Sequence, residues 1–123
     1  MSKEEKFNFK NLLVWQKALK FAAKVINTTE HLNTTGKHYR LIEQTEAASA
    51  SIAQNISEGK GRYSKKEFKN FLYYARGSAY ETVTLLNVFH AVSWITDEKL
   101  EELENDAFEI ISMIKGLINS IGD

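Results

Sequence analysis

The side chains of this chain that could do chemistry are few in kind: three histidines, sixteen carboxylates, scattered hydroxyls and no cysteine. The lack of cysteine removes a disulfide framework, a Cys-based zinc site and a thiol nucleophile together. A helical bundle can hold a two-metal carboxylate centre when Glu residues face inward on two helices and a Glu-x-x-His pair sits on each of the others. No Glu-x-x-His occurs here, and His31, His38 and His90 are too scattered to match known ligand spacings. His90 has no Asp or Glu within four residues and reads as a partly buried polar contact. Ser49 and Ser51 sit among alanines, with no nearby His or Lys to activate them for acyl transfer. Gly59-Lys60-Gly61 fits neither the P-loop nor the dinucleotide fingerprint, both of which follow a strand. The expectation is therefore a protein that is not an enzyme, with no catalytic residue, no cofactor and no metal.

Two polar groupings remain. Asn55, Glu58 and Gly59, followed by Arg62, read either as a helix terminus or as a subunit contact or small recognition site. In the first case Gly59 ends the helix, Asn55 bonds a backbone group or a neighbouring helix, and Glu58 pairs with Arg62 or Arg76. Lys60, Arg62, Lys65, Lys66 and Lys69, with Tyr63 among them and only Glu67 opposing, form a basic corner at which phosphate could bind. The alternative is a solvated face balanced by an acidic stretch, Glu101, Glu102, Glu104, Asp106 and Glu109. Tyr73, Tyr74 and Tyr80 would stack bases in the first case and belong to core or interface in the second.

The elements that must position these residues are helices. There is no proline, and glycines and turn residues cluster at a few places, leaving four long uninterrupted segments. They are expected at about residues 9–30, 38–58, 64–93 and 97–120, with residues 1–7 frayed. The first carries Trp15, Leu19, Ala22, Ile26 and Thr29 on one stripe and Val14, Ala18, Phe21 and Val25 beside it. That apolar arc is wider than one bundle core requires, and the excess, read as Val14, Phe21 and Val25, favours association. Asn33-Thr34-Thr35-Gly36 closes this helix, with a glycine able to turn left-handed. The second helix directs Leu41, Thr45, Ala48, Ile52, Asn55 and Ile56 inward, and its small middle, Ala47 to Ala53, allows close approach on several sides.

Ser64-Lys65-Lys66-Glu67 reads as a capping box opening the third helix, whose Gly77-Ser78 interior implies compensation by close packing. Thr96 caps the fourth, where Leu100, Leu103, Ala107, Ile110, Ile114, Leu117 and Ile121 repeat at coiled-coil steps. Short links make consecutive helices antiparallel, so the fold class is all-α, one up-down antiparallel four-helix bundle over 1–123.

The formal net charge is zero, which argues against a general polyanion binder. It hides a split: residues 1–76 hold fourteen Lys and Arg against seven Asp and Glu, while 77–123 hold two against nine. Such halves either pair across neighbouring helices or steer a partner. The charged first residues resemble neither a signal peptide nor an anchor, and no apolar run approaches the roughly 20 residues a membrane helix needs. A cytoplasmic protein with no membrane contact is expected.

Phe9 through Trp15-Gln16-Lys17-Ala18, Gln44, the run Ser51 to Arg62, Phe68 to Phe71, and Ala75-Arg76-Gly77-Ser78 to Glu81 together resemble the bundle proteins encoded in 23S rRNA intervening sequences. The family resembles in turn the accessory variability determinant of diversity-generating retroelements, a barrel-shaped pentamer that associates with a reverse transcriptase and nucleic acid. The resemblance covers nearly the whole chain and marks Ser51, Asn55, Glu58, Gly59, Gly61, Arg62, Arg76, Gly77, Ser78 and Glu81 as family-motif positions. It implies a non-enzymatic homo-oligomer, a homopentamer, with RNA, DNA or another protein as candidate partner. Glu46 and Ala47 stand where the family commonly has basic residues, and Ala53 where it commonly has proline. Those departures, with the neutral total, place the chain on the intervening-sequence branch.

Overall fold

The computed structural model describes residues 1–122. Five α-helices follow in order: α1 (Lys3–Lys6), α2 (Leu13–Thr29), α3 (Tyr39–Lys60), α4 (Lys65–Ala91) and α5 (Asp97–Ile121), with a 3-10 turn at Asn8–Asn11. No helix among the described residues is long and apolar enough to cross a membrane. The four long helices pack in a closed square, α2 against α3, α3 against α4, α4 against α5 and α5 back against α2. The expected antiparallel bundle is present.

The start of the chain is more ordered than a frayed segment. Ser2 Oγ accepts from the Glu5 N–H at 3.1 Å and caps α1, while Phe9 meets Trp15 edge-on at 5.2 Å and anchors the 3-10 turn to α2. Helix α2 therefore begins at Leu13 rather than at Phe9. Ser64 Oγ accepts from Glu67 N–H at 3.0 Å and Thr96 Oγ1 from Lys99 N–H at 3.1 Å, each satisfying a donor that helix geometry leaves unpaired. Only the hydroxyl half of the Ser64 capping box forms, and the Glu67 side chain lines a surface cleft instead.

Helix α4 stops through a Schellman motif. Ser93 turns left-handed at φ 65°, its N–H reaches His90 O at 2.9 Å, and Trp94 N–H reaches Phe89 O at 2.8 Å. Trp94 then lies between Phe89, 5.3 Å away, and His38, 4.4 Å away, while its carbonyl accepts from Asn33 N–H at 3.0 Å. These contacts tie the α2–α3 and α4–α5 loops together at one end. Gly36 keeps a negative φ, so the first link ends without the left-handed glycine expected there.

The core runs through Val14, Ala18, Phe21 and Val25 of α2, Ile52 and Ile56 of α3, Leu72, Ala79, Leu86 and Phe89 of α4, and Leu103, Ala107, Ile110 and Ile114 of α5. This reverses the expected assignment on α2. Val14, Phe21 and Val25 are core, and the Trp15 stripe is the surplus, with Leu19 50% and Ile26 38% exposed. Two adjacent stripes of similar hydropathy can each face inward, and α5, packed on the Phe21 side, makes the choice. Towards the end of α5, Ile118 is buried while Leu117 and Ile121 are half-buried. A straight helix drifts from a seven-residue repeat in this way.

Two of the three motif glycines, Gly59 and Gly77, differ from expectation as well. Gly59 lies inside the last turn of α3, which ends at Gly61 with ordinary helical φ of −79°. A Cβ on Gly59 would stand 2.7 Å from Phe71 Cβ and 3.0 Å from Phe68 Cδ1, so its role is close crossing of α3 and α4 rather than termination. Gly77 is exposed, and a Cβ there would meet nothing within 4 Å, so no packing among the described residues compensates it.

Candidate functional site

The family-motif residues gather along the α3–α4 seam. Ser51 and Ser78 hydroxyls stand 2.6 Å apart at mid-helix, and Ser51 also donates to Ala48 O at 2.8 Å. Asn55 donates to Ser51 O at 2.8 Å, a bond within its own helix, and Gln44 reaches Glu81 at 3.4 Å. Glu58 pairs with Arg62 at 2.6 Å and not with Arg76, whose guanidinium covers Tyr73 at 5.0 Å. Arg62 also lies 4.8 Å over the Phe71 ring. These polar groups satisfy one another, which makes the seam a packing device.

The basic corner is smaller than its sequence. Arg62 is committed to Glu58 and Phe71, Lys60 lies 6.0 Å above Phe68, and Lys69 is half-buried and already has a partner. Lys65 and Lys66 remain as exposed charges in the first turn of α4, next to a fully exposed Tyr63. The adjoining cleft, about 440 Å³, is lined by Glu58 and Glu67 as well as Arg62, an uneven setting for phosphate. The acidic face of α5 does not balance this corner. Its Glu109 pairs with Lys17 at 2.8 Å, and Asp106 and Glu102 hold Lys24 at 2.8 and 3.2 Å. The charge split along the chain is thus taken up in part by pairing between α2 and α5.

At the opposite end, His31, His90, Trp94 and Asp97 border an open cleft of about 650 Å³. Asp97 Oδ1 meets His90 Nε2 at 2.5 Å, a contact missed in sequence because the two are separated by a turn. No group of three or more His, Cys, Asp or Glu able to hold a metal occurs among the described residues.

An apolar surface is also open to a partner. Trp15, Leu19 and Ile26 of α2 and Ala50 and Ala53 of α3 line a groove of about 430 Å³. Ala53 lies within the unbroken helix α3 on the groove floor. Glu46 accepts from Thr29 Oγ1 at 2.5 Å and fixes the two walls. Across the bundle, Phe108 is 72% exposed. The signal for it was its place beside Ala107, off the buried α5 stripe.

The model of the family described as 23S rRNA-intervening sequence protein matches residues 10–116. No curated protein matches the chain. The crystal structure of a protein of unknown function from the S23 ribosomal protein family of Bacteroides thetaiotaomicron VPI-5482 is similar, with TM-score 0.80 and 30% identity. That similarity covers 86% of this chain and 98% of that one. With the motif residues on one seam of an antiparallel bundle and the family match running from the first long helix into the last, this chain belongs to the 23S rRNA-intervening sequence protein family.

Proposed function

We propose that this protein is a non-enzymatic module that works by associating with copies of itself, five being the number its family resemblance implies. The α2–α3 groove carries the reading. Leu19 and Ile26 stay 50% and 38% exposed over an alanine floor, an apolar surface of the kind that marks association sites. The polar groups support a structural role: Ser49 and Ser51 donate to helix carbonyls, and Asp97 engages His90. Cytoplasmic residence belongs to the same reading and suits a chain without cysteine. The test is native mass at micromolar concentration. Wild type is expected as a discrete oligomer and Leu19→Lys as a folded monomer; a monomeric wild type would reject the reading.

A second reading, a nucleic-acid accessory role, rests on Lys65 and Lys66, which are exposed with no ion-pair partner among the described residues. Avidity around an oligomer would multiply a weak site. Binding of structured RNA or duplex DNA that falls steeply with salt and vanishes in Lys65→Glu/Lys66→Glu would support it. Undiminished binding by that variant would remove it.

A further inference from the structure

Self-association needs a surface that fits the α2–α3 groove, and the same chain carries one on the opposite side of the bundle. Asn87 Nδ2 donates to Glu104 at 2.9 Å, bringing the outward edges of α4 and α5 together. Phe108 lies one turn beyond Glu104, and Tyr80 and Tyr73 lie two and four turns before Asn87, on that same side. They are 72%, 55% and 45% exposed, and together they form an aromatic ridge. Resting on the self-association reading, we infer that the groove of one copy receives the α4–α5 ridge of the next, a head-to-tail contact between two different faces.

Three observations carry this. The first is height along the bundle. Lys17 pairs with Glu109 and Lys24 with Asp106, which sets Leu19 of the groove level with Phe108 of the ridge. Copies rotated about an axis parallel to the helices keep those levels matched.

The second is Gly77, between Tyr73 and Tyr80. An exposed mid-helix glycine weakens a helix relative to alanine, and nothing among the described residues occupies the space above it. A neighbouring surface seated between the two tyrosines gives that space an occupant.

The third is area. An aromatic side chain buries about 150–250 Å², so the exposed parts of the three rings offer roughly 350 Å². That is enough for the apolar centre of a standard interface of about 800 Å² per partner.

Two unlike faces on opposite sides cannot both be covered by a two-fold dimer. Each copy offers one groove and one ridge, so every contact leaves a groove and a ridge free for further copies.

The test pairs two exposed-site variants, each checked for helical folding by circular dichroism. Leu19→Lys removes the groove and Phe108→Lys removes the ridge. Each alone is expected to be monomeric, and an equimolar mixture is expected to form a one-to-one dimer and nothing larger, one groove and one ridge remaining intact. Because the natural chain has no cysteine, Ala50→Cys and Phe108→Cys proteins mixed under oxidation should give the mixed disulfide dimer as the main product.

A Phe108→Lys protein that assembles as wild type does, or an Ala50→Cys protein that cross-links to itself, would overturn the inference in favour of a groove-to-groove dimer. Variants that stay monomeric on mixing and form no mixed disulfide would overturn it in favour of another protein as occupant. A wild type that is itself monomeric would overturn the self-association reading beneath it, a result separate from these.

Discussion

Gly59 sits so close beneath Phe71 that a Cβ on the glycine would stand 2.7 Å from the Cβ of the phenylalanine. That approach brings the end of α3 against the start of α4 and seats Arg62 over the Phe71 ring. Phe71 Cβ is tied to its backbone, so it cannot swing aside as the tip of a long side chain does.

Gly59→Ala should therefore destabilise the fold by about 1–3 kcal/mol, overpacking exceeding the gain in helix propensity. Gly77→Ala, made in the non-assembling Leu19→Lys background, should do the reverse and stabilise by up to about 1 kcal/mol. Urea denaturation of the two variants checks the pair, and equal effects would remove the distinction drawn between the glycines.

Ser93 holds φ at 65° to complete the Schellman motif, a conformation that costs a residue with a side chain about 1–2 kcal/mol. Ser93→Gly relieves that cost and loses part of the gain to the greater freedom of the unfolded chain. A net stabilisation of about 0.5–1 kcal/mol is expected. A thermal midpoint that does not rise would count against strain at this position.

Lys24 is held by Asp106 and Glu102, and hydrogen bonding, first from Asp106, raises its pKa. Hydrogen bonding with Lys24, then Lys99, lowers that of Glu102. The raised lysine contributes stability that is complete below its ordinary value and lost as pH rises through the folded one. The lowered carboxylate contributes above its ordinary range and loses it as pH falls through the depressed value. Both are present at neutrality. Lys24→Met should cost no more than about 1 kcal/mol at pH 7 and low salt, because the partners are about half exposed. The cost should shrink in high salt and in acid; denaturation curves at pH 7 and pH 3, with and without salt, decide it.

Much of the fold is legible because local chemistry alone writes it. The segments free of breakers, the hydroxyl caps at Ser64 and Thr96, and the α5 stripe from Leu100 to Ile114 all became structure as read. The contacts of the motif residues were less legible. Glu58 had two cations within sequence reach, and only the crossing of α3 with α4 sends it to Arg62 and lays Arg76 over Tyr73.

By itself the sequence determined the four long helices and a chain lacking the paired Glu-x-x-His ligands of a bundle metal centre. Only the tertiary structure decided which way the apolar arc of α2 turns. Periodicity marks a stripe but carries no direction, and Trp15-Leu19-Ile26 and Val14-Phe21-Val25 are equal claimants until neighbours take their places. Packing against α5 buries the second stripe and leaves the first as a groove, while the same arrangement turns Phe108 outward on the far side. The surfaces offered to a partner are therefore those left over once the core is filled, and which side chains are left over depends on contacts between residues far apart in the chain.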